Sequence, residues 1–213
     1  MNPIQPTLDQ VISERRELII NIVDDEDRNI GTLQPLTVEH LQCDDIIEKL
    51  TNWRNLNMAN FLTQFVATPE RTNNWLKNVV FKNKGQMLFL IYVGKKVIGH
   101  YGFKDLTTDE VLLDNAMRGE RYGDPKLLVY AGKALVQWLF VQANVKRIKA
   151  EVMIDNIPAI MMNKKIGFQG WKKVPMLKKN INNELRFVFA EERRTSAINM
   201  YCYKIYIDKL NGN

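Results

Sequence analysis

The stretch Arg118-Gly119-Glu120-Arg121-Tyr122-Gly123-Asp124-Pro125 carries the residue types closest to chemistry. A turn with two glycines lets backbone N–H groups point outward, and the start of a following helix adds partial positive charge. Arg118 and Arg121 would add full charges, so the stretch suits a phosphate. Its glycine spacing matches neither a dinucleotide fingerprint nor a P-loop, and no Gly-Lys-Ser/Thr occurs. Taken alone, it also reads as a strand-to-helix turn with surface arginines. A second stretch, Asp155-Asn156-Ile157-Pro158-Ala159-Ile160-Met161-Met162-Asn163-Lys164-Lys165-Ile166-Gly167-Phe168, reads as a strand end, a short helix, a glycine stop and another strand. On its own it is a helix folded onto a sheet, with Ala159, Met162 and Ile166 in the core. His40 and His100 are the only histidines, too few and too far apart in sequence to suggest a metal site with Cys43 and Cys202.

Positioning these stretches takes a sheet and a long helix. Residues 32–36 read as a first strand, leading into a helix over about 38–50. A second helical stretch follows Pro69, with Trp75, Leu76, Val79 and Val80 spaced for one face. Met87–Val93 and 96–103 are apolar runs separated by Gly94-Lys95, a hairpin signal. A short strand over 110–113 ends at Asp114-Asn115. Pro125 opens the long helix, with Leu127, Leu128, Ala131, Leu135, Trp138 and Leu139 at helical spacing. Residues 147–154 read as a strand, and 168–174, 185–190 and 199–207 as three closing strands. Strands on both sides of a long helix imply an α/β chain with a mixed sheet, the helix crossing between two parallel strands.

The 213 residues, 46 % hydrophobic and 25 % charged, suit one globular unit. Polar residues 1–30, with the acidic run Asp24-Asp25-Glu26-Asp27, read as an N-terminal arm; residues 31–213 form the domain. The longest apolar run, Met87–Val93, is far below the roughly 20 residues of a spanning helix. The first residues lack the pattern of a secretory signal, and two cysteines make no disulfide framework, so a cytoplasmic setting is expected. Residues 1–50 carry 4 basic and 11 acidic side chains, whereas 51–213 carry 26 and 13. A basic body attracts polyanions. The basic residues come in scattered pairs without interleaved aromatics, which argues against a nucleic-acid surface.

The two stretches, about 30 residues apart, resemble the paired signatures of the GNAT superfamily of acetyl-CoA-dependent N-acetyltransferases. Arg118 opens and Gly123 closes a loop like the family's Arg/Gln-x-x-Gly-x-Gly/Ala, with Arg121 in place of the middle glycine. Asn156, Ala159, Met162, Lys165, Gly167 and Phe168 fit its Asn-x-x-Ala-x-x-Leu-Tyr-x-Lys-x-Gly-Phe segment. Trp53-Arg54-Asn55, the helix near Trp75-Leu76 and the Gly94/Gly99 hairpin look like the subgroup of ribosomal-protein and amino-sugar acetyltransferases. The likeness spans about residues 32–174.

The resemblance implies a mixed, mostly antiparallel central sheet with a splayed parallel strand pair, flanked by helices. It implies that amides of Glu120, Arg121, Tyr122, Gly123 and Asp124, with Arg118 and Gly119, hold the pyrophosphate of acetyl-CoA. The pantetheine arm would lie along the strand at Leu113, with Asn156 on its other side. A primary amine, almost wholly protonated at pH 7, must lose a proton before it attacks the thioester. Asp114 is the first candidate base, then Glu110 at the other end of the strand, with Asp105 behind them. Asn163 stands where many relatives have a tyrosine that protonates the departing thiolate; an amide can only donate a hydrogen bond. Trp53, Arg54 and Asn55 would wall the acceptor pocket. His100 would either face that pocket or serve as a buried structural histidine. The expected acceptor is a small-molecule amine such as a nucleotide-linked amino sugar, with a protein N-terminus or a non-catalytic acyl-CoA module as alternatives. An extension from about residue 175, with its Asn-rich turn, reads as a hairpin over the pocket or a homodimer contact.

Overall fold

The computed structural model describes residues 18–190, 198 and 200–209. Ten strands form one sheet: β1 (Ile20–Val23), β2 (Asn29–Pro35), β3 (Thr63–Gln64), β4 (Met87–Val93), β5 (Lys96–Lys104), β6 (Glu110–Arg118), β7 (Arg147–Met153), β8 (Gln169–Ile181), β9 (Glu184–Phe189) and β10 (Met200–Asp208). Their order is β1-β2-β4-β5-β6-β7-β10-β8-β9-β3. Among the described residues only β6 and β7 pair in parallel; the other eight neighbouring pairs are antiparallel. Four helices flank the sheet: α1 (Asp44–Leu56), α2 (Pro69–Trp75), α3 (Leu127–Gln142) and α4 (Ile157–Ile166). This is the α/β architecture expected from the sequence.

Each face of the sheet buries its own core. Leu127, Ala131, Leu135 and Leu139 of α3 recur at helical spacing and pack on Phe89, Tyr101, Phe103, Val111, Leu113 and Ile148. Ile46, Ile47, Leu50 and Trp53 of α1 pack on the other face with Leu88, Leu90, Val97 and Met117.

Three local departures bear on function. The first helix is a 3-10 turn over Val38–Gln42 followed by α1, which continues to Leu56 because Trp53 extends its buried stripe. The strand expected to stop at Asp114-Asn115 instead continues to Arg118 through a bulge. Asn115 sits there at φ 54, a conformation asparagine adopts more readily than most residues. The extra residue inverts the pleat: Leu113 faces the α3 core, whereas Met117, an even number of residues on, faces the α1 core. Finally, β1 joins the sheet from within the stretch expected to be an arm, while residues 1–17 of that arm lie outside the described residues.

The C-terminal strand β10 inserts between β7 and β8 and pairs with all of β7, from Cys202↔Met153 to Asp208↔Arg147. β8 and β9 form a hairpin turning at Asn182-Asn183, both at positive φ, and β9 ladders onto β3 through Thr63↔Arg186 and Gln64↔Leu185. No helix of the described residues is long and apolar enough to cross a membrane.

Candidate active site

The parallel pair β6/β7 is laddered only at Glu110↔Arg147, Val111↔Ile148 and Leu112↔Lys149. Beyond these three pairs, residues 113–118 and 150–153 part, leaving a gap with unladdered inner strand edges. The bulge at Asn115 bends β6 away from β7, whose outer edge is fully held by β10. Leu113, buried at 5 % exposure, is the first residue past the last ladder pair.

The loop 118–125 follows at the open end of the gap. Arg118 does not face outward as an added charge; its guanidinium turns into the loop. Nε donates to Glu120 O (3.1 Å), Nη1 to Asp124 O (2.8 Å) and Pro125 O (2.9 Å), and Nη2 to Tyr122 O (3.0 Å) and Gly123 O (3.4 Å). With its carbonyls held inward, the loop presents amides outward. Those of Gly119 and Glu120 both donate to Ile98 O, so they are spent within the fold. Among the described residues, the amides of Arg121, Tyr122, Gly123 and Asp124 find no acceptor. Gly123 makes the turn at φ 77, strained for residues with a side chain. The Asp124 carboxylate accepts from the Lys126 amide (2.6 Å) and so fixes the first turn of α3. Four adjacent free amides at the start of a sixteen-residue helix make an anion cradle.

Asn156 caps α4, its Oδ1 accepting from Ala159 N (3.2 Å). Asn163, one of the residues α4 buries, donates from Nδ2 to Ala159 O (2.8 Å). Its Oδ1 is buried with no partner among the described residues, and reversing the amide would turn the oxygen onto the Ala159 carbonyl.

Asp114 and Glu110 share the α1 face of β6, four residues apart. Asp114 lies beside the bulge, held by Lys104 Nζ (3.0 Å) and Asn115 Nδ2 (2.9 Å). Glu110 lies at the laddered end, paired with Lys149 Nζ (2.5 Å), and with Asp105 lines a hollow of about 420 Å³ that also takes in Ala150 and Glu151 but not Asp114. The structure therefore does not bring the three carboxylates together.

His100 is 5 % exposed, and its Nδ1–H donates to the Asn115 carbonyl of the bulge (2.7 Å). Burial pushes its pKa down to about 4, outweighing the opposing pull of that carbonyl and of Asp114. The imidazole is thus neutral, and Nε2 takes no partner among the described residues. Trp53 stacks on it with centroids 6.2 Å apart. Asn57 of the same helix end reaches Met117 Sδ at 3.9 Å, so the end of α1 sits against the parted strand. Asn55 is spent on the Ala67 backbone, accepting from N (2.8 Å) and donating to O (3.0 Å). Among the described residues, no cluster of His, Cys, Asp and Glu could hold a metal ion.

Sequence reasoning missed the junction of β3 with β9 and the residues around it: Phe61, Phe65, Arg71, Glu184 and Arg186. The first three and the last two lie more than a hundred positions apart and meet only because the C-terminal hairpin folds back; the two phenylalanines at a spacing of four were the only local signal.

The comparisons agree with this geometry. The family model of the acetyltransferase (GNAT) domain matches residues 32–169. Among solved structures, a probable GNAT-family acetyltransferase from Chromobacterium violaceum is similar over 89 % of this chain and 86 % of its own, at 12 % identity and a TM-score of 0.63. Spermidine N-acetyltransferase from Vibrio cholerae, solved with CoA and spermine, is similar over 84 % and 95 %, at 14 % identity and a TM-score of 0.57. A microcin self-immunity acetyltransferase, solved with acetyl-CoA and AMP, is similar over 85 % and 94 %, at 16 % identity and a TM-score of 0.59. No curated protein matches the chain significantly. A matched domain covering well over half the sequence, on a sheet that parts beside an anion cradle, makes the chain a member of the GNAT acetyltransferase family.

Proposed function

We propose that the protein transfers the acetyl group of acetyl-CoA to the primary amine of a small molecule. The observation that carries this reading is the coincidence of two open features: the unladdered gap after Leu112↔Lys149, and the free amides of residues 121–124 at its mouth. The amides of Arg121 to Asp124 take the pyrophosphate, and the exposed Arg121 side chain adds charge. The pantetheine arm runs along β6 from Leu113, in sheet-like fashion, between the parted strands. Acetyl-CoA supplies the thioester.

Asp114 takes a proton from the incoming ammonium, directly or through a water, and the freed amine attacks the thioester carbonyl. A C–N bond forms, the nitrogen gives its second proton to solvent as the tetrahedral intermediate collapses, the C–S bond breaks, and CoA leaves as a thiolate that acquires a proton from solvent. Proton removal is worth about 10²–10⁴-fold, and holding amine and thioester in register supplies more. Asp114 is favoured over Glu110 because it stands at the bulge, where the gap begins to open; Glu110 is behind the ladder. Asn163 occupies the thiol end of the arm, where it orients the group without protonating it. Trp53 and His100 form the wall facing the acceptor.

Release of free CoA thiol in the presence of acetyl-CoA and a panel of amino sugars, polyamines and N-terminal peptides tests this reading. Release dependent on one class of amine supports it; binding of acetyl-CoA with no release by any amine would leave only an acyl-CoA-binding module.

A further inference from the structure

The junction of β3 and β9 closes a ring over the α1 face of the gap. It runs from β6 through Met117 and Asn57 to α1, along the loop into β3, across to β9, and back through β8 and β10 to β7. An acceptor amine approaching the thioester from the α1 face passes under this arch, which is lined by three guanidiniums, two of them sharing one carboxylate.

Arg71 and Arg186 both pair with Glu184, Arg186 through Nε (3.0 Å) and Nη2 (2.8 Å). Glu184 is 7 % exposed, and the two arginines hold its carboxyl below the usual range. Arg54 has no carboxylate among the described residues. Its guanidinium lies between the rings of Phe61 (4.3 Å) and Phe65 (4.1 Å) and gives a single hydrogen bond, from Nη2 to Thr63 O (2.8 Å). Arg71 stacks on Phe65 at 3.3 Å, so like charges meet across one ring. Burial, reinforced by Arg71, disfavours the charged form of Arg54. A cation is thus partly desolvated, pre-aimed by two aromatic rings, and left, among the described residues, with four of its five N–H donors unmatched. Such a fork fits a phosphate or carboxylate in a bidentate pairing. The same excess charge repels an acceptor bearing several ammonium groups.

We propose that Arg54, with Arg71 and Arg186, selects an amine acceptor that carries an anionic group at a distance from its reacting nitrogen, and disfavours polyamines. The inference rests on the acetyltransferase reading above, but concerns recognition rather than transfer.

Its test is calorimetric titration of the CoA-saturated full chain with matched pairs: glucosamine phosphate against glucosamine, an aspartate-containing dipeptide against its asparagine counterpart, and spermidine. The expected result is at least tenfold tighter binding of one anionic member than of its neutral partner. That ratio falls toward one in Arg54→Gln, and falls separately in Arg186→Gln should the first variant fold poorly. The sugar and peptide pairs tell phosphate from carboxylate. Tighter binding of spermidine than of either anion, no charge preference in the wild type, or a ratio unchanged in both variants overturns the proposal. CoA release is followed in parallel: its absence with every amine removes the transfer reading, while the binding ratios still decide the role of the arginines.

Discussion

The Trp53 indole lies against the Cα of Gly119: a Cβ built there would come within 1.9 Å of the ring. Trp53 in turn stacks on His100, which holds the Asn115 bulge, so one contact chain links α1, the loop that follows β6 and the bulge that parts β6 from β7. Gly119→Ala must displace either the indole or the loop. The expected cost is about 1–3 kcal/mol of stability, with weaker acetyl-CoA binding. Trp53→Ala alone costs about 3–5 kcal/mol. In the double variant the added methyl has room, so its loss is smaller than the sum of the two; denaturant unfolding of all four proteins measures the difference. Strict additivity would show that the contact is not felt.

Arg118 acts through the loop rather than on the ligand. Arg118→Lys keeps the charge but cannot satisfy the carbonyls of residues 120 and 122–125 at once. The acetyl-CoA dissociation constant is expected to rise about tenfold, equivalent to about 1.4 kcal/mol. Were Arg118 only a point charge for phosphate, lysine would substitute with little loss.

These two relationships mark how far the sequence could be read. The loop and the helix after it were legible because glycine, arginine and proline at fixed offsets have local consequences, and the Gly94-Lys95 hairpin for the same reason. The inward turn of Arg118 was not: its carbonyl partners arise from a loop conformation that no spacing encodes. The bulge was hidden because Asp114-Asn115 looks like a strand terminus, whereas pairing with β5 on one side carries the strand through it. The insertion of β10 between β7 and β8, and the β3–β9 junction, depend on contacts between distant segments, which local periodicity cannot report.

Asp114→Asn is expected to lower kcat by about 10²-fold or more, as befits loss of a general base, with acetyl-CoA binding retained. Glu110→Gln removes a partner of Lys149 at the laddered end and changes kcat less than about threefold, the size of a weak exposed ion pair. Initial rates of CoA release compare the two; the opposite ranking would move the base to the other end of the strand.

His100 makes stability fall in acid. Its folded pKa of about 4 lies below the ordinary value of 6.5, so the unfolded chain takes up the proton first. The penalty is absent above about pH 6.5 and grows as pH falls toward 4, reaching about 3 kcal/mol. Thermal melting across that window should show a steeper decline for the wild type than for His100→Gln. Both retain His40, whose pKa burial also lowers, so parallel curves would contradict the assignment.

Asn163 holds an acceptor oxygen in an unsatisfied buried position, which costs about 1–3 kcal/mol. Asn163→Leu is expected to raise the melting temperature of the free protein and to reduce the further rise produced by acetyl-CoA. A variant that melts lower, or gains as much from the ligand as the wild type, would show that the oxygen has a partner within the fold.

The most direct measurement is the melting midpoint of the full chain with and without acetyl-CoA. Ligand at a hundred times its dissociation constant should add about 2.7 kcal/mol and raise the midpoint clearly. The rise should shrink in Arg118→Lys. An unchanged midpoint with acetyl-CoA, or a rise of equal size in that variant, would contradict the claim that the thioester lies in the gap between β6 and β7 with its phosphates on the loop amides.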